Sequence, residues 1–284
     1  MSEKIHPTAV VHPLARIGVD VEIGPYCVIG ADVTIGDRTK IGPQVVVEGL
    51  TRIGAENLIV GQASIGGPPQ DLSYRGEPTE VEIGDRNTIR EFVTINRGTV
   101  KGGGVTRVGS DNMLMACCHV AHDCELRDRI ILANGVLLAG HVLVEENVNI
   151  SGGAAAHHFV TIGAFAYIGG MTRMVQDVPP FMILEGHPSR VRGVNVIGLQ
   201  RSGVAEGDIE ALREAFKRVW RSGDPRSKTL ESLHAEFAGS AHVMRLVHEL
   251  EHTDVGQKGR YRESLRADFM RIGQERLLSG AETR

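Results

Sequence analysis

Aliphatic residues recur at every sixth position through the first 174 residues of the chain. Ile5, Val11, Ile17, Ile23, Ile29, Ile35, Ile41, Val47, Ile53, Ile59 and Ile65 form one run, and Ile83, Ile89 and Ile95 form a second in the same register. A third, shifted by one, has Val108, Leu114, Val120, Leu126, Leu132, Leu138, Val144, Ile150, Ala156, Ile162, Ile168 and Met174. Of these 26 positions 25 are Ile, Val, Leu or Met, and 11 are followed directly by Gly. Four places after each, the residue is usually small or β-branched (Ala9, Ala15, Val21, Cys27, Val33, Thr39, Val45, Thr51), with Asn57, Asn87 and Asn112 as exceptions. Period six fits neither an α-helix at 3.6 nor a hairpin sheet at two. It suits short strands joined by tight corners, where Gly allows positive φ and β-branched side chains fill the interior. The pattern predicts a parallel β-helix of hexapeptide repeats, eighteen residues to a triangular coil, about nine or ten coils stacked at roughly 4.8 Å.

Two stretches interrupt the period: residues 66–82 (GGPPQDLSYRGEPTEVE) and 96–107 (NRGTVKGGGVTR). Both are polar and Gly-rich, as expected of loops ejected from a rigid coil, and such loops concentrate binding residues. The period stops at QDVPPF, and helical spacing replaces it: Ile209, Leu212, Phe216, Val219 and Trp220; Leu230, Leu233 and Phe237 behind a Thr229 cap; then Val243, Leu246, Val247 and Leu250. The division expected is a β-helix over 1–190 and a small helical domain over 191–284, its aromatics and Trp220 in the core. From Glu251 the chain is highly charged, and the pattern predicts an exposed helix with a frayed tail.

Composition narrows the function classes. With 284 residues, 35 glycines and only 4% aromatics, the core must be built from small aliphatic layers. Thirty-one Lys and Arg against 35 Asp and Glu give a formal net charge of −4, which argues against a nucleic-acid partner. The start, MSEKIHPTAV, lacks an apolar h-region, and the apolar stretch Ile130 to Val144 is broken by Asn134 and His141, so no membrane span is expected and a cytoplasmic location is. Four cysteines make no disulfide framework; Cys118 and Cys124 occupy the small interior position, and Cys117 is expected to be structural.

Five of the twelve histidines lie close together: His119, His122, His141, His157 and His158. Adding eighteen to His122 gives Gly140, beside His141; eighteen more gives His158, beside His157. Three coils thus stack them within about 10 Å of height. Asp123 follows His122, and a carboxylate beside an imidazole orients the tautomer and raises basicity, as a general base requires. Gly140 would let a substrate approach the backbone N–H, as an oxyanion donor must. Acyl transfer is one chemistry this supports. A three-histidine zinc site of the γ-carbonic-anhydrase type is the other, and a purely structural scaffold is disfavoured by the loops and the cluster.

Five motifs carry a resemblance over the whole chain: HVAHDC at 119–124, LAGHV at 138–142, GGPPQDLSYRGEPT at 66–79, RGTVKGGGVTRVGSDN at 97–112 and GVNVIGLQR at 193–201. Together they resemble the UDP-N-acetylglucosamine O-acyltransferase family, hexapeptide-repeat transferases that acylate first in lipid A synthesis. The resemblance implies a left-handed coil, a homotrimer with sites between subunits, and no metal or cofactor beyond the acyl carrier protein's own thioester. It implies that His122 is the general base taking the proton from the glucosamine 3-hydroxyl, that Asp123 orients it, and that Gly140 donates to the oxyanion. Gln70 and Asp71, with His119, His141 and His158, match sugar-nucleotide contacts; Asn195 and Arg201 match residues near the uridine and its phosphates. His157 and Gly170 match the acyl groove, and Asn134 is placed among the substrate-binding residues. Ser73, Asn96, Ile197 and Ser202 depart from residues common in the family. A 3-amino sugar acceptor is the alternative within this chemistry. The donor implied is a 3-hydroxyacyl acyl carrier protein, for which Arg213, Lys217, Arg218, Arg221, Arg226 and Lys228 would give a basic docking surface, and the small Gly170 suggests a long acyl chain.

Overall fold

The computed structural model describes residues 4–282. From Val10 to Met174 the chain runs as short strands, most of them two residues long, that fall into three sheets of nine, eight and eight members. Each strand pairs in parallel with the one a full coil later, as in Val10↔Val28, Ile17↔Ile35 and Glu22↔Lys40. The sixth-position residues and their small partners four places on point inward and are buried from Val21 to Met174. Each buried Ile or Val contributes about 1.5–3 kcal/mol, so the coil is stabilised by many equal layers rather than by one centre.

The three asparagines that break the small-residue habit explain themselves. Asn57, Asn87 and Asn112 are buried one above another, and each side-chain oxygen accepts an amide of the next coil: Asn87 N to Asn57 at 2.9 Å, Asn112 N to Asn87 at 2.9 Å, Ile130 N to Asn112 at 2.7 Å. An amide side chain here stands in for the missing backbone acceptor of a corner.

The corner glycines act differently from the expectation. The left-handed residue lies three places after most of the inward aliphatics, and it is usually not Gly: Asp20, Arg38, Glu56, Asp123 and His141 all have φ near +60°. The glycine directly after the aliphatic is needed instead for close approach. A Cβ on Gly42 would lie 1.8 Å from the Val60 carbonyl oxygen, and one on Gly36 would lie 2.5 Å from the Gly54 carbonyl carbon. Backbone of one coil therefore rests on backbone of the next.

Both ejected loops leave the same edge of the prism. The first follows Ser64–Gly67 and returns at Glu80–Ile83; the second follows Thr94–Asn96, makes a 3-10 turn at Val100–Gly102 and returns at Val105–Val108. The stack Ile65↔Ile95↔Val120↔Leu138↔Ala156 then carries His122, His141 and His158 down that same edge.

Beyond Met174 the hairpin Met182–Glu185 and Arg190–Val194 extends one sheet, so helices begin only at residue 196. They are α1 (Val196–Arg201), α2 (Glu206–Arg221), α3 (Arg226–Glu236), α4 (Ala241–Val255), α5 (Tyr261–Ser264) and α6 (Arg266–Glu282). Ile209, Leu212, Leu230, Leu233, Val243, Leu246, Val247 and Leu250 form their core with Phe181 and Met182. Thr229 is not a cap: α3 starts after Pro225, and Thr229 lies within it, its hydroxyl donating to the Pro225 carbonyl at 3.3 Å.

The charged C-terminal stretch is also not a frayed tail over its described length. Asp177 ties it down, its N–H donating to the Gly259 carbonyl at 2.8 Å and its carboxylate accepting the Tyr261 N–H at 2.7 Å. Burial pushes the Asp177 carboxyl up to about 6. Helix α6 then folds back onto the 3-10 turn of the second loop, where Gly273 lies so close that a Cβ would meet the Val100 carbonyl oxygen at 1.9 Å. No apolar stripe announced this, because the contact is glycine on backbone.

A stability comparison checks the account of the corner glycines. Gly42→Ala should cost about 3 kcal/mol or more, since neither backbone can yield. Gly193→Ala, where nothing lies within 4 Å of the added carbon, should change thermal stability by less than about 0.5 kcal/mol. Equal melting curves for the two variants would refute the close-approach role.

Candidate active site

His122 sits at the corner directly after the strand His119–Val120, with its side chain only 8% exposed. Its Nδ1–H donates to Asp123 Oδ2 at 2.7 Å, which fixes the tautomer and leaves Nε2 as the acceptor. The Asp123 side chain is fully buried, and among the described residues no Lys or Arg pairs with it. Its Oδ1 accepts Thr99 N at 2.7 Å and its Oδ2 accepts Thr99 Oγ1 at 2.6 Å, while its own N–H donates to Thr106 Oγ1. The second loop thus wraps the carboxylate so closely that a Cβ on Gly102 would fall 2.0 Å from its carbon. Three hydrogen bonds to the charged form offset the cost of burying it.

The coil below supplies Gly140 and His141. A Cβ at Gly140 would lie 2.5 Å from His122 Cε1, so only glycine lets the imidazole lie across this peptide. His141 N donates to the His122 carbonyl at 3.0 Å, and its ring stands edge-on to His122 with centroids 5.2 Å apart. Burial pushes His141 down to about 4, which keeps it neutral. Phe159, one coil further, stacks on it at 4.2 Å. Asp123, His141 and Phe159 all hold left-handed corners, with φ of 62°, 66° and 65°. His157 donates its Nδ1–H to the His158 carbonyl at 3.1 Å, and burial lowers the His158 pKa.

The first loop closes the site from above. Asp71 accepts both Ser73 N and Ser73 Oγ at 2.7 Å, and these bonds lower its pKa and keep it ionised. Ser73, one of the departures from the family pattern, is therefore the group that fixes Asp71. Asn96, another, donates from Nδ2 to the Pro68 carbonyl at 2.9 Å. Arg97 reaches across to the Gly66 carbonyl at 2.7 Å and to Tyr74 Oη, and so fastens the second loop to the first. Neither Arg97 nor Thr99 was singled out from the sequence, because their work is done across two loops whose meeting the period does not encode.

Gln70, Asp71, His122, His141, His157 and His158 line one cavity of about 660 Å³, together with Leu72, Lys101, Phe159, Arg266 and Met270. Asn195 and Arg201 lie elsewhere, in a separate groove of about 470 Å³ with Ile131, Tyr167 and Ile197. Asn195 caps α1, accepting Gly198 N at 3.2 Å, while its Nδ2 donates to the Phe165 carbonyl. His119 lies on the flat face between the two edges, sharing a 2.7 Å hydrogen bond with Thr94. Asn134 and Gly170 follow one another, two coils apart, on the face's other edge, and Gly170 has only ordinary contact at 3.5 Å to the Gly152 carbonyl. One chain thus places its predicted residues at one edge of this face, on the face itself, at its opposite edge, and in a groove on the neighbouring face.

Ligand atoms of His122, Asp123 and His141 lie within 4.8 Å of one another, the constellation a cation would need. The donor set does not suit one. Both Asp123 oxygens already accept Thr99 and His122 donors, and a metal would have to displace the hydrogen bond that holds the imidazole.

Comparison with known proteins fits this geometry. Residues 14–49 match the family model described as bacterial transferase hexapeptide (six repeats), and 177–259 match UDP-N-acetylglucosamine O-acyltransferase, domain 2, which stops short of α5 and α6. The acyl-[acyl-carrier-protein]–UDP-N-acetylglucosamine O-acyltransferase of Anaeromyxobacter dehalogenans is 53% identical over 235 residues, covering 83% of this chain and 91% of the relative. Solved UDP-N-acetylglucosamine acyltransferases from Bacteroides fragilis and Francisella novicida are 39% and 36% identical, each with a TM-score of 0.84. Each alignment covers 87% of this chain, and 96% and 91% of the respective solved chains. The fold is accordingly the left-handed parallel β-helix with a C-terminal helical domain, and the chain belongs to the UDP-N-acetylglucosamine O-acyltransferase family.

Proposed function

We propose that the chain transfers a 3-hydroxyacyl group from acyl carrier protein to the 3-hydroxyl of the glucosamine in UDP-N-acetylglucosamine, the first acylation of lipid A synthesis. The observation that carries the mechanism is the His122–Asp123 pair, buried and held by Thr99. His122 Nε2 takes the proton from the 3-hydroxyl as that oxygen attacks the thioester carbonyl. The negative charge moves to the carbonyl oxygen, where the Gly140 amide stabilises it. Collapse breaks the C–S bond, and the imidazolium returns the proton to the leaving thiolate, so the enzyme ends unchanged. The step balances with no cofactor. Asp123 keeps the developing imidazolium oriented and compensated, as a buried carboxylate beside histidine does in hydrolases. Transfer to a 3-amino sugar and zinc-dependent hydration are not favoured by the family assignment.

Substrate contacts follow the same reading. Gln70, Asp71, His119, His141 and His158 bind the sugar nucleotide, Asn195 and Arg201 its uridine and phosphates, and His157, Asn134 and Gly170 the acyl chain. Support for a homotrimer comes from the split between edges: Asn195 and Arg201 of a neighbouring copy would complete a site that one chain leaves open. Ile131, Leu137 and Met171, outward-facing and exposed on these faces, would be covered by such packing. Among the described residues no helix is long and apolar enough to cross a membrane, and a cytoplasmic enzyme drawing on soluble acyl carrier protein is the location we infer.

The basic docking surface is narrower than the residue count implied. Arg213 pairs with Glu206 and Glu210, Arg218 with Glu214 and Glu236, and Arg226 with Asp254. Lys217, 3.8 Å from Glu214 and 68% exposed, Arg221, over the Phe216 ring, and the exposed Lys228 are the more available cations.

Three measurements test these readings. With UDP-N-acetylglucosamine and a panel of 3-hydroxyacyl carrier proteins, His122→Ala should lower kcat by about 10²–10⁴ and Asp123→Asn by about 10² or more, with zinc content on the same sample below stoichiometric. Wild-type protein that transfers nothing, or activity that tracks bound zinc, overturns the function. Charge reversal of Lys217 and Arg221 together should raise KM for the carrier-borne donor several-fold and leave KM for the sugar nucleotide unchanged; unaltered kinetics would remove the docking surface. Light scattering should report a mass of three 30.7 kDa chains, and a monomer would exclude sites shared between subunits.

A further inference from the structure

Helix α6, which lies beyond the matched helical domain, forms one wall of the His122 cavity. Three contacts fix it there. Gly273 lies against the Val100 carbonyl with no room for a side chain, so the helix rests on the same loop whose Thr99 holds Asp123. At its start, the Arg266 guanidinium stacks 4.4 Å above the Phe159 ring, which itself stacks on His141. Arg262, just before α6, donates Nε–H to the His141 carbonyl at 3.2 Å.

The charges facing this cavity do not cancel. Asp71 is ionised, held so by Ser73. Burial depresses His141 to about 4 and lowers His158, so neither adds positive charge near neutral pH. The cations are Lys101, exposed on the second loop, and Arg266, 60% exposed on α6. Arg266 has one carboxylate partner, Glu263, and that carboxylate also serves Arg260, so two guanidiniums share one negative charge. A cavity whose lining sets two cations against the one carboxylate of Asp71, and is walled by stacked rings, suits an anion delivered beside the base.

We propose that Arg266 and Lys101 form a phosphate-binding pair that holds a substrate phosphate across the mouth of the His122 cavity. Both substrates of the proposed reaction carry phosphate: the sugar nucleotide as a diphosphate, the carrier's prosthetic arm as a phosphodiester. The inference rests on that reading only for which phosphate arrives; the site itself is a property of α6 and the second loop. Arg266 is a specificity-determining residue here, since it touches substrate rather than the reacting atoms.

The test uses full-length protein in a His122→Ala background, so that no turnover intervenes, and measures binding by calorimetry. The probes are UDP-N-acetylglucosamine, 4′-phosphopantetheine and unphosphorylated pantetheine. Arg266→Ala and Lys101→Ala should each weaken one phosphorylated probe about tenfold, Arg266→Lys should retain most of the affinity, and pantetheine should not respond. Loss confined to UDP-N-acetylglucosamine assigns the pair to the diphosphate, and loss confined to phosphopantetheine assigns it to the carrier arm. Arg271→Ala, on the same helix with its guanidinium paired to Glu275, should bind as the parent does. Lys101→Ala tests the pair without touching α6, should the Arg266 variants disturb the helix. Unchanged affinity for both phosphorylated probes in both alanine variants, or an equal loss in Arg271→Ala, overturns the proposal. Retained Arg266-dependent phosphate binding by a wild-type protein that transfers no acyl group would overturn the transferase reading and leave this one standing.

Discussion

The stacking of each coil on the next is the constraint from which the rest of the molecule follows. Strand hydrogen bonds in the prism run between coils, as in Gly24 N to Ile41 O at 2.7 Å and Gly42 N to Ile59 O at 2.7 Å. No coil can satisfy its own backbone, so stability belongs to neighbouring layers in contact. Contact at the inter-strand distance leaves no space for a side chain where corner backbones touch, which explains the glycines after the inward aliphatics. It also obliges residues such as Asp123, His141 and Phe159 to turn left-handed at about 1 kcal/mol each, a cost the inter-coil hydrogen bonds offset.

The same constraint builds the site. Because corners repeat at one edge, a histidine on one coil is set above a glycine on the next, and the imidazole of His122 can lie across Gly140 only while that position has no Cβ. At this corner the coil itself supplies only His122 as a side-chain partner for the buried carboxylate. An excursion from the coil supplies the rest: the loop at 97–104 brings Thr99 N onto Oδ1 and Thr99 Oγ1 onto Oδ2, the oxygen that also accepts His122. A neutral donor set at that position keeps Asp123 available to compensate a proton on the imidazole, whereas an arginine would already have consumed its charge.

How far the sequence revealed this depends on whether the information was periodic. The β-helix was legible because each layer repeats the same physical requirement, and even the exceptions at Asn57, Asn87 and Asn112 mark their own column. The histidine cluster was legible for the same reason: eighteen residues equal one coil, so His122, Gly140 and His158 could be stacked by addition. The corner glycines were visible but their reason was misjudged, as close approach and left-handed φ leave the same letter in a sequence. Arg97 and Thr99 escaped because they work between elements brought together only by the fold, and nothing in either loop states the height of the other. The docking of helix α6 escaped most completely. The helix docks by Gly273 on a carbonyl and by arginines on aromatic rings, contacts that leave no hydrophobic period and read as a solvated charged tail.

A stacked prism is also too stiff to close on a substrate. Enzymes that shield a reacting carbonyl from water commonly move a lid or a domain, but here backbone rests on backbone through successive coils, and bending one would break hydrogen bonds in the next. Enclosure has to come from parts attached to the prism. The first loop, tied by Arg97 and Asn96, supplies the upper rim; the second loop buries Asp123; α6, seated on that loop, closes a side. Among the described residues no such attachment reaches the edge carrying Asn134 and Gly170. That asymmetry is what the proposed neighbouring copy would resolve, since a threefold arrangement would set the furnished edge of one prism against the bare edge of the next and would complete each His122 cavity without any element having to move.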